Sequence, residues 1–192
     1  VLLSLGVCAN AWAGTAGAIR IGEGFKDGGD GAVDVGTASI AIGTNDGPQE
    51  TSAYGTSCIA IGIGAEAGDS TDLSISQAIA IGLQTKAAGR TSNAIGYSAQ
   101  ASGGYYNAIG YKAVASGSDS VALGSGSQAV GSDSVALGKN SVVLASQGNV
   151  VSVGNDTTQR RIVNVAAAKD VNEALTLSNF DYTNTSGITK MT

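Results

Sequence analysis

The side chains that could do chemistry in this chain are few, and they recur at a fixed distance. Asp119 and Asp133 lie 14 residues apart within the same local sequence, Ser-Asp-Ser-Val-Ala-Leu-Gly, with no Lys, Arg or His beside them. Glycoside cleavage needs a paired acid and base, whereas this pattern supplies isolated turn carboxylates. The chain has no histidine, which excludes Ser-His and Cys-His nucleophiles and histidine metal ligands. We therefore predict no enzyme, catalytic residue, metal site or cofactor.

Acidic, turn-rich segments and Cys58, one of two cysteines, are the remaining candidates for chemistry. The segments 27–31, 45–48 and 66–72 combine Asp, Asn, Glu and Gly. They lack the alternating oxygen ligands and closing Glu of an EF-hand, so we interpret them as plain turns rather than calcium sites. Cys58 occupies the repeat position that Ser120 and Ser134 occupy later, which predicts a core thiol.

Composition narrows the class of protein further. The chain has 192 residues, of which 29 are Gly, and only 13% are charged, with a net charge of −5. Ten basic residues and a net negative charge argue against a nucleic-acid surface. The hydrophobic fraction of 43% is too high for a disordered tail. An ordered, glycine-punctuated repeat protein remains.

A short sequence motif ending in Ala-Ile-Gly or Ala-Leu-Gly recurs along the chain. From Gly82 to Gly138 its spacing is 14 residues, and further glycines fall halfway, at Gly89, Gly103, Gly117 and Gly131. Two half-repeats of seven, each ending in Gly, predict two short strands per unit with a tight turn after each. Before Gly82 the spacing is 19 to 21 residues, which indicates inserted loops, often a binding face in repeat proteins. We predict an all-β solenoid.

Residues at the same position of successive repeats form columns that run along the solenoid. Alternation along the strands assigns these columns to two faces. In a strand, residues i and i+2 point to one face and i+1 to the other. We expect the large Ile, Leu and Val pair to fill the interior of the coil. The small residue between them would then face identical neighbouring chains, which predicts a trimer interface at Ala80, Ala94, Ala108, Ala122 and Ala136. Asn93 and Asn107 replace Ile or Val in adjacent turns, and we predict a hydrogen-bonded Asn ladder there rather than an ion site.

Tyrosines cluster in the middle of the repeat region. Tyr97 and Tyr111 share one column, and Tyr105 and Tyr106 lie in the turn between them. Two interpretations stay open. The four rings form an adhesive, ligand-binding patch, because tyrosine offers a large contact area with a polar tip. Alternatively, they cap the solenoid edge by stacking across turns.

The two ends of the chain differ from the repeats. Residues 1–13 are mostly apolar and end in Ala-Trp-Ala, which favours a remnant of a signal peptide over a first strand. After Gly138 the pattern degrades, and Asp170 with Glu173 has the spacing of a capping box. We predict a short helix over about 171–179. We expect Arg160 and Arg161 to bind acidic or carbonyl groups of neighbouring chains.

These repeats resemble the YadA-like heads of trimeric autotransporter adhesins. The head motifs are Ser-Val-Ala-Leu-Gly, Ser-Ile-Ala-Ile-Gly and Asn-Ala-Ile-Gly, and the segment from Val151 through Arg161 and Asn164 to Asp170 resembles the neck that follows such heads. The resemblance implies a homotrimeric, left-handed parallel β-roll head over 14–148, a neck over 149–169 with contacts from Arg160, Arg161 and Asn164, and the start of a coiled-coil stalk over 170–192.

The same resemblance implies a function and a location. It implies a non-catalytic bacterial surface adhesin, exported to the outer membrane, that binds host extracellular matrix or cell-surface molecules. The membrane anchor would lie outside this chain. The alternatives are a phage tail fibre or spike, an enzyme on a β-solenoid, and an ice-binding solenoid, for which flat threonine ladders are missing.

Overall fold

The fold is a parallel β-solenoid made of two facing sheets. A computed structural model describes residues 36–43, 50–72, 74–170 and 172–174, and the backbone of 19–21. Among these residues, sheet A contains nine strands in the order β1 (Ile19–Ile21), β2 (Ile40–Ile42), β4 (Ile59–Ile61), β6 (Ile79–Ile81), β8 (Asn93–Ile95), β10 (Asn107–Ile109), β12 (Val121–Leu123), β14 (Val135–Leu137) and β16 (Val151–Ser152). Sheet B contains seven: β3 (Ser52–Ala53), β5 (Glu66–Ala67), β7 (Lys86–Ala87), β9 (Gln100–Ala101), β11 (Val114–Ala115), β13 (Gln128–Ala129) and β15 (Val142–Val143).

The 14-residue period is one turn of the coil. Each strand of sheet A pairs in parallel with the equivalent strand of the next turn, so that Ala94 is in register with Ala108 and Ala108 with Ala122. From β2 to β15 the chain alternates between the sheets, with a three-residue strand in sheet A and a two-residue strand in sheet B. This confirms the predicted all-β parallel solenoid with two strands per unit, while the hand of the coil stays a prediction.

The interior of the solenoid is lined by alanine, and this overturns the predicted assignment of faces. The Ala columns of both sheets are fully buried within a single chain and form its core. They include the five residues predicted as the trimer interface, Ala80, Ala94, Ala108, Ala122 and Ala136, each with 0% exposure. The physical reason is space: strands of two and three residues close a coil too narrow for facing Ile or Leu side chains. A side chain buried inside its own chain cannot contact a neighbouring one.

Buried hydroxyl groups complete the interior and bind the turns. Thr85 Oγ1 donates to the Gly82 carbonyl at 2.6 Å, and Ser92 Oγ donates to the Gly89 carbonyl at 2.6 Å. Both residues have 0% exposure. Because a buried hydroxyl without a partner is destabilising, the turn carbonyls stabilise these side chains in the narrow core. Ser52 is an exception among the described residues, since its buried hydroxyl has no hydrogen-bond partner.

The glycine that follows each strand of sheet A allows the turns to stack closely. Gly96 has φ +130°, and a Cβ atom there would lie 2.5 Å from the carbonyl oxygen of Gly110 in the next turn. Only glycine adopts this backbone conformation without strain and leaves room for that carbonyl. The repeated glycine therefore serves backbone stacking, as well as the turn that its spacing predicts.

Several turns hold a residue other than glycine in the left-handed region, and Thr91 is the most strained. Its φ is 55°, and Asn149 occupies the same turn position with φ 58°. A β-branched residue is disfavoured in this conformation, whereas Asn tolerates it. We expect Thr91→Asn to raise the free energy of unfolding by about 1 kcal/mol, since the bond from the Thr91 N–H to the Ser76 carbonyl involves only backbone. Thermal unfolding followed by circular dichroism checks this, and a lower melting temperature would contradict it.

The C-terminal part of the chain leaves the repeat. Strand β16, inside the predicted neck, still pairs with β14, and the solenoid unit ends at Gln159. The described part of the following unit, 160–170 and 172–174, contains no helix or strand. Most of the helix predicted over 171–179, the stalk beyond it, and the apolar segment 1–13 lie outside the described residues. The residues that the structure describes include no helix of the length and apolarity required to cross a bilayer.

Candidate functional site

Sheet A presents an apolar surface to solvent, which we call the outward face. Two columns of side chains form it, each with one residue per turn: Ile40, Ile59, Ile79, Asn93, Asn107, Val121 and Val135 in one, and Ile42, Ile61, Ile81, Ile95, Ile109, Leu123 and Leu137 in the other. Ile109, Leu123 and Leu137 are 38%, 37% and 43% exposed, and the others of both columns are half-buried by one another. The large pair predicted to fill the interior therefore lies outside.

A second exposed apolar row follows the first, where the chain leaves sheet A. This corner stripe consists of Ile63, Leu83, Tyr97 and Tyr111, which are 40% to 52% exposed. The rings of Tyr97 and Tyr111 stack with centroids 5.2 Å apart and an interplanar angle of 13°. The Lys112 ammonium lies 5.3 Å from the Tyr111 ring centroid, at cation–π distance. The predicted stacking across turns is present, and the stacked rings are also accessible.

The sequence analysis missed the aliphatic half of this stripe. Ile63 and Leu83 each follow the glycine of the repeat, as Tyr97 and Tyr111 do. Aligning the residue after each glycine would have found them, because the tyrosines then stand out as members of a longer row.

Tyr105 and Tyr106 point to different environments. Tyr105 is 58% exposed, with φ 65°, so it is accessible at its turn. Tyr106 packs against the buried core, and its ring fills the space that a side chain on Gly103 would need. It occupies the inward position that Cys58 and Ser120 occupy in other turns and is half-buried, so it offers a ligand less surface than Tyr105. Its assignment to a ligand-binding patch stays a prediction.

The carboxylates in the turns accept hydrogen bonds from residues one or two positions away in the chain. Asp69 Oδ1 accepts bonds from the N–H of Thr71 at 2.8 Å and from its hydroxyl at 2.7 Å. These two bonds hold the pKa of Asp69 below its usual range. Asp119 accepts a bond from the Ser118 hydroxyl at 3.0 Å. Within the described residues, no group of three or more acidic, Cys or His side chains is close enough to hold a metal ion.

Comparison with known protein families identifies the repeats. A family model described as the YadA head domain repeat matches the chain in two copies, over residues 108–127 and 127–144. The matched turns of the solenoid are similar to YadA head repeats. The match falls on the turns around β12 and β14, where the spacing is most regular. A phage fibre, the alternative considered from the sequence, is not favoured by this match.

The chain is also similar to a solved structure over most of its length. This is the crystal structure of the collagen-binding domain of the Yersinia adhesin YadA, with 24% identity, coverage of 73% of this chain and 93% of that chain, and a TM-score of 0.44. No curated protein matches the chain.

The predicted Asn ladder is present. Asn93 Nδ2 donates to Asn107 Oδ1 at 2.8 Å, between adjacent strands β8 and β10. Both side chains lie on the outward face and are half-buried.

The residues predicted as neck contacts belong to the unit that follows the head. Arg160, Arg161 and Asn164 are exposed in the single chain, as are Ile162 and Val163, at 71% and 61%. Their contacts with neighbouring chains stay a prediction.

Cys58 lies inside the head, and its burial predicts a pH dependence of stability. The side chain has 0% exposure, and desolvation raises the pKa of its thiol. Above about pH 8.5, where an exposed cysteine ionises, the unfolded chain loses this proton while the folded chain keeps it. Stability is therefore expected to fall as the pH rises through this window.

The variant Cys58→Ser isolates this contribution, because Ser39 and Ser120 occupy the same position in other turns. We expect the wild type to lose stability relative to Cys58→Ser as the pH rises above about 8.5, measured by urea unfolding at each pH. A constant difference between the two proteins across this range would contradict a buried, protonated thiol.

Proposed function

We propose that this chain is the head of a bacterial surface adhesin that assembles as a homotrimer and binds host matrix or cell-surface molecules without catalysis. The observation that carries the proposal is that the outward face of sheet A exposes aliphatic side chains. The same strands include the repeats that match the YadA head. Lone surface apolar residues need no explanation, whereas a continuous apolar face indicates a partner.

The size of the outward face supports an interface between copies of this chain. Seven three-residue strands, β2 to β14, carry it. With strands about 4.8 Å apart and about 3.3 Å per residue, the face measures roughly 34 by 10 Å. Its area of about 340 Å² lies in the range of the largest apolar patch on a typical monomer, and such patches are often functional. Because each turn repeats the same aliphatic pair, an identical face from another copy provides a matching surface.

The exposed apolar side chains after the head support the same assembly. Ile162 and Val163 lie in an extended segment without strand or helix. In an assembly of three chains, equivalent segments would cover one another, which fits the predicted neck. We propose the bacterial cell surface, at the outer membrane, as the location of this assembly.

The corner stripe and Tyr105 form the surface that we propose for ligand contact. Tyr97, Tyr111 and Tyr105 combine exposed rings with polar hydroxyl groups, the kind of side chain enriched at recognition surfaces. Three copies of each site on one head would strengthen a weak contact through multivalency, provided that the host ligand is extended enough to reach several of them.

Binding of the full chain to immobilised collagen, fibronectin and laminin, and to host cells, tests the adhesive role. We expect Tyr97→Ser/Tyr111→Ser to weaken the binding found by at least about tenfold. Ser125 occupies the same position in the next turn, so the fold should tolerate serine there. Gln100→Ser/Gln128→Ser, on the exposed side of sheet B, is the matched control. Wild-type binding to none of these targets would contradict the adhesive role, and unchanged binding by the double variant would contradict the stripe as its site.

A further inference from the structure

Two asparagines interrupt the otherwise aliphatic outward face in adjacent turns. Ile40, Ile59 and Ile79 precede Asn93 in its column, and Val121 and Val135 follow Asn107. We propose that Asn93 and Asn107 are a register lock: they form one polar layer between copies of this chain, and this layer permits a single axial alignment of the copies. The inference rests on the proposed assembly through the outward face.

The hydrogen bonds within one chain leave part of the pair without a partner. An asparagine amide offers two N–H groups and one oxygen with two lone pairs. Asn93 gives one N–H to Asn107, and Asn107 Nδ2 makes a long contact of 3.4 Å with the Tyr105 carbonyl. Among the described residues, Asn93 Oδ1 accepts no hydrogen bond. A partner that covers this face must therefore supply polar atoms at this level or leave an amide buried without its bonds.

An identical copy supplies those atoms in one alignment only. Outside these two turns the outward face repeats the same aliphatic pair, so its shape alone specifies the register of packing weakly. A shift by one turn, about 4.8 Å, would place an amide of one copy against Ile79 or Val121 of another. In the unshifted alignment every amide meets an amide. A polar residue in an apolar seam fixes register in coiled coils by the same physics.

The experiment measures the alignment directly. In the full chain with Cys8→Ser and Cys58→Ser, a spin label on Ser118→Cys, an exposed turn position, reports distances between copies by pulsed electron paramagnetic resonance. With Asn93 and Asn107 present we expect one narrow inter-chain distance. In Asn93→Val/Asn107→Val we expect a broadened distribution that extends to longer distances, because axial offsets in steps of about 4.8 Å lengthen the separation between equivalent labels. Val121 and Val135 occupy this column naturally, so the double variant keeps an acceptable strand residue.

The matched control exchanges the flanking residues, Ile79→Val/Val121→Ile, and should keep the single distance. A single narrow distance in the Asn double variant, equal to that of the wild type, would overturn the register lock while leaving the assembly intact. A wild-type chain without any inter-chain distance would overturn the assembly, and the lock with it.

Discussion

Replacing Gly96 with Ala is expected to abolish the stacking of the turns around it. The substitution places a Cβ atom 2.5 Å from the Gly110 carbonyl oxygen and 2.7 Å from its carbon, and it forces φ +130° on a residue that avoids it. Neither neighbour can yield, because both are backbone atoms of the next turn. We expect a loss of about 3–5 kcal/mol in the free energy of unfolding, from backbone strain and overpacking together. Thermal unfolding followed by circular dichroism measures it.

Gly104→Ala provides the matched control within the same turns of the coil. A Cβ atom at Gly104 meets only the Arg90 carbonyl oxygen at 3.7 Å, an ordinary contact. We expect its melting temperature to stay within a few degrees of the wild type, consistent with a change of about 1 kcal/mol or less. Equal effects of the two substitutions would show that close stacking at Gly96 is not what the repeated glycine provides.

Enlarging Ala108 to leucine is the second substitution with a large expected effect. Ala108 has 0% exposure and lies between Ala94 and Ala122 in the core. Because the space between the two sheets holds only small side chains, it has no room for leucine. We expect a loss of about 3 kcal/mol through overpacking, visible in urea unfolding as a lower midpoint and in expression as aggregation.

The neighbouring substitution Ile109→Leu distinguishes the inward face of the sheet from its outward face. Ile109 is 38% exposed, and leucine occupies the same column at Leu123 and Leu137. We expect a change in stability of about 0.5 kcal/mol or less. If instead Ala108→Leu folds with wild-type stability and loses only its self-association, the alanine column faces outward and the core described above is wrong.

Periodicity predicted the elements of this fold but not their orientation. The 14-residue spacing and the glycine after each half-repeat specified two strands per turn, their parallel register and the alignment of Asn93 with Asn107. Alternation in a strand separates two faces without saying which one is buried. The larger side chains were assigned to the interior because apolar burial usually favours them. The width of the coil decides otherwise, and width depends on the closure of two-residue and three-residue strands.

The tyrosines illustrate the same limit at the candidate site. The shared column of Tyr97 and Tyr111 predicted their stacking, because residues one period apart are neighbours in the solenoid. Tyr106 was grouped with them by closeness in the sequence, although its repeat position is that of the inward Ser120. Repeat position, rather than distance along the chain, determines which side chains reach the surface. Exposure of Ile63 and Leu83 follows from the same rule.

The mass of the full chain in solution tests the central claim most directly. Multi-angle light scattering should give three times the 18.8 kDa of one chain for the wild type. Ile95→Lys/Ile109→Lys, with two charges on the outward face, should give a folded monomer with an unchanged circular dichroism spectrum. A wild-type chain that remains a folded 18.8 kDa monomer up to high concentration would contradict the claim that the outward aliphatic face joins three copies into an adhesive head.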